Sequence, residues 1–116
     1  KEMIEADYNT RSIYLVTRDD NDVPIAYLSM LDLDGEGEVL RIAVRKQYRR
    51  RGVARRMMQY LIDYLKENYY QRIYLEVKST NAPAISLYKS LGFVAFNERK
   101  NYYAQGESAV NYVLVL

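Results

Sequence analysis

A chain of 116 residues can build one domain around one hydrophobic core, so we expect a single domain over residues 1–116. The sequence has no histidine and no cysteine, which excludes disulfides, thiolate nucleophiles, zinc–sulfur sites and Ser-His triads and leaves proton transfer to Glu, Asp, Lys, Tyr or water. The net charge of +2 is too small to indicate nucleic-acid binding by itself, and no apolar run is long enough to span a membrane.

The first nine residues form a mixed segment that starts at Lys1 rather than at a methionine. This segment carries no helix-start signal, and we expect a chain that has been trimmed at its N-terminus. No secretory signal is visible, and together with the lack of cysteine this predicts a cytoplasmic protein.

Three strands are predicted before the middle of the chain. Residues 12–17 are rich in β-branched and aromatic side chains, and the turn formers at 19–22 separate them from a second strand at 23–31. A further turn at 34–37 leads to a third strand at 39–44. The pattern predicts an antiparallel meander.

A long amphipathic helix is predicted from Ala54 onward, because apolar residues recur at helical steps while polar residues occupy the other side. The apolar positions are Ala54, Met57, Met58, Leu61, Ile62 and Leu65.

The following strand, at 73–78, alternates, so that Glu76 shares one face with Tyr74 and Lys78 while Ile73, Leu75 and Val77 occupy the other.

A second, shorter helix follows. Asn81 is a suitable N-cap, Pro83 fits the first turn, and Gly92 supplies the stop. Two strands at 93–96 and 109–116 complete the chain. The predicted order is β-β-β-α-β-α-β-β, an α/β (α+β) fold with a mixed, mostly antiparallel sheet, a central parallel pair and flanking helices.

The segment between the third strand and the long helix is the best candidate for an anion site. Free N–H groups and the positive end of the helix dipole favour a phosphate there, and a small residue lets it approach the backbone. A basic solvated surface and a nucleic-acid contact remain alternatives for the same pattern. The segment reads Arg49-Arg50-Arg51-Gly52-Val53-Ala54.

This segment resembles the pyrophosphate loop of the GNAT superfamily of N-acetyltransferases, whose pattern is Arg/Gln-x-x-Gly-x-Gly/Ala. Four other blocks occur in the order typical of that family, and the resemblance covers roughly residues 12–116. The blocks are Ile42-Ala43-Val44, Leu75-Glu76-Val77, Asn81 with Ala84-Ile85-Ser86-Leu87-Tyr88, and Leu91-Gly92-Phe93.

The resemblance implies an enzyme that binds acetyl-coenzyme A and requires no metal. By analogy, Glu76 would be the general base and Tyr88 the general acid that protonates the departing thiolate. Ile42, Ala43 and Val44 would face the pantetheine arm, and Asn81 would also contact the cofactor. The pyrophosphate would lie on Arg49, Arg50, Arg51, Gly52, Val53 and Ala54.

A narrower resemblance concerns the acceptor. Arg99-Lys100-Asn101-Tyr102-Tyr103 is similar to the Arg-x-Asn-Tyr-Tyr block of GNAT enzymes that acetylate protein N-termini, including the ribosomal-protein alanine acetyltransferases. By analogy, Tyr102 and Tyr103 would hold the substrate peptide. The resemblance includes ribosomal proteins among the acceptors that such a chain could have. Alternatively, the two rings only pack over the edge of the sheet.

The sequence departs from the family in two places. Arg45-Lys46 stands where many relatives have Asp-Pro, and the family's first strand and leading helix are missing or reduced to residues 1–9.

Two other functions remain open. A GNAT enzyme for a small amine or a lysine side chain could use an acidic pocket of Asp32, Asp34, Glu36 and Glu38. A non-catalytic module could bind through the basic residues of 45–56, although acidic stretches and the lack of interleaved aromatic residues argue against nucleic acid. We expect neither a nucleic acid nor a membrane as partner.

Overall fold

The computed structural model describes residues 3–9 and 11–116. The described residues form one seven-stranded sheet and two α-helices. The strands are β1 (Met3–Tyr8), β2 (Ser12–Arg18), β3 (Pro24–Asp32), β4 (Glu36–Val44), β5 (Arg72–Lys78), β6 (Val94–Arg99) and β7 (Ala109–Val115), and the helices are α1 (Val53–Glu67) and α2 (Ala82–Ser90).

The predicted fold class is confirmed, and the order of elements differs from the predicted one by one additional strand. The additional strand is β1, which pairs antiparallel with β2. The sequence had predicted that the family's first strand and leading helix are missing or reduced to residues 1–9. Lys1 and Glu2 lie outside the described residues. Ile4 and Ala6 alternate along β1 and pack against the core. The alternation is short and is interrupted by the acidic residues Glu5 and Asp7, so the sequence pattern did not identify it as a strand.

The sheet is mixed, and its strand order is β1-β2-β3-β4-β5-β7-β6. Neighbouring strands are antiparallel except for β4 and β5, which form the predicted central parallel pair. The parallel pairing runs only from Glu36↔Arg72 to Val39↔Leu75.

Helix α1 packs against β2, β3 and β4 through one apolar side, as the helical spacing predicted. Ala54 is half-buried, and the other predicted core positions of the helix are fully covered. The buried residues of α1 are Val53, Met57, Met58, Leu61, Ile62 and Leu65. Within the described residues, neither helix has the length and apolar character of a membrane span.

The predicted alternation of β5 is also confirmed. Ile73, Leu75 and Val77 are buried in the core, so Glu76 projects from the opposite face of the sheet.

Tyr70, between α1 and β5, connects this region to β3. Its hydroxyl donates a hydrogen bond of 2.5 Å to Asp32 Oδ2. Burial first, and then the bond to Asp32, raise the pKa of Tyr70 to about 12.

We predict that Tyr70→Phe makes stability less sensitive to alkaline pH. An unfolded tyrosine has a pKa of about 10, so the folded chain holds this proton more tightly. The contribution is complete below a pH of about 10 and is lost as the pH rises toward about 12. Urea unfolding at several pH values should therefore show a shallower alkaline fall in the unfolding free energy for the variant. Tyr69→Phe, at a ring that is 90% exposed, is the control; equal slopes for Tyr70→Phe and the parent would contradict the prediction.

Candidate active site

The two central strands separate toward their carboxyl ends. Beyond the last parallel pair, Val39↔Leu75, β4 continues to Val44 beside β3, and β5 continues to Lys78 beside β7. In the described chain, the backbone edges that face each other past this point have no strand partner. An opening with unpaired peptide groups therefore lies between β4 and β5.

A β-bulge lies at the start of this opening. The β3–β4 register passes from Met30↔Val39 to Ser29↔Arg41, which leaves Leu40 as the extra residue of β4. Leu40 is the first β4 residue beyond the parallel pairing, and Glu76 is the first on β5. Bulges redirect backbone groups locally, so peptide N–H groups of β4 are available at the mouth of the opening.

The predicted pantetheine-contacting residues Ile42, Ala43 and Val44 lie on the β4 side of the opening. They pair with Leu28, Tyr27 and Ala26 of β3, respectively, and all three are half-buried. The other edge of this segment faces the opening, and its contact with a pantetheine arm stays a prediction.

The basic segment connects this edge to α1. Arg50 and Gly52 both adopt left-handed backbone conformations, with φ of 64° and 76°. Gly52 is the N-cap of α1 and makes no side-chain cap, and the first turn contains no acidic residue. The N–H groups of the first turn, including those of Val53 and Ala54, are thus presented to an incoming anion.

The arginines hold the segment against the end of β4. Arg49 Nε donates to the Val44 carbonyl at 3.0 Å, and the Arg51 guanidinium lies 5.4 Å from the centre of the Tyr48 ring. Arg56 donates to the Arg51 carbonyl at 3.0 Å. The cationic charge is therefore concentrated at the helix entrance, while the side chain of Val53 is buried beneath it.

Asn81 has the structural role that the sequence predicted. Its side-chain oxygen accepts a hydrogen bond from the Ala84 N–H at 3.3 Å and caps α2. Its contact with a cofactor stays a prediction.

Tyr88 lies on α2 and is 6% exposed, with its ring 5.8 Å from that of Phe93. A phenol of ordinary pKa is already protonated at neutral pH, and burial raises the pKa of Tyr88 further, so the group carries a proton but holds it more tightly than a free tyrosine. Among the described residues no hydrogen bond joins Tyr88 to Glu76, and the two predicted catalytic groups lie on separate elements.

Glu76 is held by three other side chains. Its Oε2 accepts from Asn111 Nδ2 at 2.9 Å and is 3.4 Å from Arg99, and its Oε1 accepts from the Tyr103 hydroxyl at 3.4 Å. The side chain of Glu76 is 24% exposed, which leaves it reachable from solvent.

The tyrosine pair extends from this carboxylate to the surface. Tyr102 is 53% exposed, meets Tyr103 edge-on at 5.2 Å and lies 4.7 Å from the Arg99 guanidinium. Burial, and next the charge of Glu76, raise the pKa of Tyr103. Tyr103 thus contacts the predicted base through its hydroxyl, and the role of the two tyrosines in holding a peptide stays a prediction.

Asn111 was missed by the sequence reasoning, and Arg99 was quoted without a role. Asparagine is depleted in β-strands, so its presence within the otherwise apolar strand β7 is a sequence signal that could have identified Asn111 as a candidate site residue. Its position opposite Glu76 depends on the β5–β7 register, which the sequence did not provide.

The four carboxylates considered for a small-amine pocket lie before or within the parallel pairing of β4 and β5. Asp32 and Asp34 line an open depression there, and Asp32 is already bound by Tyr70. Glu36 is paired with Arg72 at 2.8 Å. Two of the four carboxylates are thus occupied, and none of the four is in the opening between β4 and β5 beyond Val39.

Comparison with known proteins gives a consistent set of matches. A family model described as the acetyltransferase (GNAT) family matches residues 1–93. An N-alpha-acetyltransferase of Sulfurisphaera tokodaii is 45% identical over 75 residues, 64% of this chain and 45% of that protein. A ribosomal protein bS18-alanine N-acetyltransferase of Salmonella typhimurium is 41% identical over 93 residues, 78% of this chain and 62% of that protein.

A solved structure agrees. The crystal structure of the ribosomal-protein-S18-alanine N-acetyltransferase from Escherichia coli superposes with a TM-score of 0.87 at 32% identity, covering 93% of this chain and 71% of that chain. The chain spans about half the length of most of the curated relatives that it matches.

We predict that Gly52→Asp weakens binding of acetyl-coenzyme A at least about tenfold, or ~1.4 kcal/mol, because a carboxylate at the helix entrance repels phosphate. Gly52→Ala should weaken binding less, since it adds only the strain of a left-handed φ and a contact 3.0 Å from Arg56. Isothermal titration measures both affinities.

Gly35→Asp is the matched control for this prediction. Gly35 also has a positive φ, of 97°, and an added Cβ would meet nothing within 4 Å. It lies before β4, near the C-terminal end of α1 and at the opposite end of β4 from the helix entrance. Equal affinities for Gly52→Asp and Gly35→Asp would place the phosphate site elsewhere.

Proposed function

The chain belongs to the GNAT family of acetyltransferases, as its motifs predicted, and from this premise we propose that it transfers the acetyl group of acetyl-coenzyme A to the N-terminal α-amine of a protein or peptide. The observation that carries the proposal is the opening between β4 and β5, with a basic helix entrance on one side and Glu76 at its mouth. The matched relatives are named for N-terminal acetylation, which favours this acceptor.

The cofactor would lie along the β4 side. The amides of Gly52, Val53 and Ala54 suit the pyrophosphate, and the cationic side chains of Arg49, Arg50 and Arg51 add attraction. The backbone groups on the inner edge of 42–44, apart from the Val44 carbonyl that Arg49 occupies, would bond to the amides of the pantetheine arm. This path directs the thioester toward Leu40 and Glu76.

The reaction begins with loss of a proton from the α-ammonium group, whose pKa is about 7.7 to 8.0. Glu76 accepts that proton directly or through a water, and the neutral nitrogen attacks the thioester carbonyl. A backbone N–H at the β4 bulge stabilises the developing oxyanion. The C–S bond then breaks, and Tyr88 protonates the thiolate of coenzyme A. The attacking nitrogen loses its second proton as the amide forms, and that proton returns through water to the Tyr88 phenol.

The acceptor would approach from the side of the loop between β6 and β7. Tyr102 presents an exposed ring there, and Tyr103 already touches Glu76. A peptide that stacks on these rings would bring its first residue to the carboxylate, and holding amine and thioester together supplies much of the rate acceleration. A ribosomal protein is one acceptor that the relatives suggest.

Direct transfer is the test of this proposal. Acetyl-coenzyme A at 100 times its Kd should stabilise the fold by ~2.7 kcal/mol, seen as a rise in Tm. A panel of peptides that differ in their first residue should then release coenzyme A, whereas the same peptides with a blocked α-amine and an internal lysine should not. If only spermidine is acetylated, the acceptor is a small amine and not a peptide N-terminus. If only the internal lysine is acetylated, the acceptor is a lysine side chain.

We predict that Glu76→Gln lowers kcat about 10²- to 10⁴-fold with little change in the Kd of acetyl-coenzyme A, because the amide cannot accept the proton. Glu98→Gln, on the exposed strand β6, is the matched control and should behave like the parent. Single-turnover kinetics separate the chemical step from product release. Full activity in Glu76→Gln would remove Glu76 from the mechanism.

A further inference from the structure

We propose that Asn111 is a positioning residue that fixes one oxygen of Glu76 and leaves the other oxygen to receive the proton. The inference rests on the proposed function of Glu76 as the general base. It assigns a role to a side chain on β7 whose hydrogen bonds, among the described residues, go to Glu76 and Asn97 and not to the basic segment.

The hydrogen bonds of Asn111 determine which way its amide points. A carboxylate can only accept, so the group 2.9 Å from Glu76 Oε2 must be the Asn111 NH₂. The amide oxygen of Asn111 then faces Asn97, whose Nδ2 donates to it at 3.1 Å. The carboxylate of Glu76 thus sets the orientation of the Asn111 amide, and the hydrogen bond from Asn97 is compatible with that orientation and supports it.

These three side chains stand in one row across the sheet. Glu76 pairs with Asn111, and Asn111 pairs with Asn97, on the adjacent strands β5, β7 and β6. The register shift between Ala95 and Asn97 leaves Phe96 as the extra residue of β6 and brings Asn97 opposite Asn111. Strands hold a catalytic geometry more rigidly than a loop does.

The two oxygens of Glu76 have unequal surroundings. Oε2 is contacted by Asn111 and by Arg99, at 2.9 and 3.4 Å. Oε1 accepts only from Tyr103 among the described residues, at 3.4 Å, and Tyr103 belongs to the loop between β6 and β7. An acceptor amine or its water can displace that long contact, so the proton goes to Oε1 while Oε2 stays anchored.

The test measures kcat, the KM for the peptide and the Kd of acetyl-coenzyme A in Asn111→Leu and Asn111→Asp. Leucine keeps the approximate shape without a donor, and we expect kcat to fall about tenfold as the carboxylate loses its orientation. Aspartate replaces the donor with a negative acceptor and should lower kcat further. The Kd of acetyl-coenzyme A should not change in either variant.

Three further variants make the test more specific. Asn97→Leu removes only the outer anchor and should have a smaller effect on kcat than Asn111→Leu. Asn68→Leu makes the same chemical change at the C-cap of α1 and should leave kcat unchanged. In a Glu76→Gln background, Asn111→Leu should cause no further loss, because Asn111 acts through Glu76.

The outcomes separate this inference from the proposed function. Parent-like kcat in Asn111→Leu, with a slow Glu76→Gln, overturns the role of Asn111 and leaves the function standing. A loss that persists in the Glu76→Gln background overturns it in favour of a structural role. Full activity in Glu76→Gln removes Glu76 from the mechanism and overturns this inference with it, while acetyl transfer by the parent still supports the proposed function. If the parent transfers no acetyl group, the proposed function is wrong; a crystal structure of Asn111→Leu then decides whether Asn111 positions Glu76, since an unmoved carboxylate overturns positioning and a displaced one supports it.

Discussion

The separation of β4 from β5 after Val39 and Leu75 is the constraint on which the rest of the site depends. Each strand keeps its outer neighbour, β3 or β7, so the separation costs only the hydrogen bonds of the inner edges. Those edges are then left with peptide groups that a ligand can satisfy. The bulge at Leu40 marks the point of departure and brings the first free residue of β4 opposite the first free residue of β5.

The site also requires a fixed position for the entrance of α1, and the hydrophobic core provides it. Val53 and Met57 are buried at the start of the helix, and the helix packs on β2, β3 and β4. The basic segment is thus held at both ends, by the core at Val53 and by the Arg49 bond to the end of β4. Its N–H groups and its charge are preorganised next to the opening.

Features with a local cause could be predicted from the sequence. The periodicity of α1, the alternation of β5 and the Asn81 cap follow from neighbouring residues, and the motif order indicated the family. Features that depend on pairing between distant segments could not. β1 was missed because its apolar residues are few and lie between acids, and the contacts of Glu76 with Asn111, Arg99 and Tyr103 required the registers of β5, β6 and β7.

Hydrogen–deuterium exchange with and without acetyl-coenzyme A tests the central claim most directly. If the cofactor lies between β4 and the entrance of α1, exchange should slow at the amides of 40–44 that face β5 and at 53–55, while the edge strands β1 and β6 stay unchanged. Unaltered exchange at both segments with saturating cofactor, or protection confined to other strands, would contradict the account.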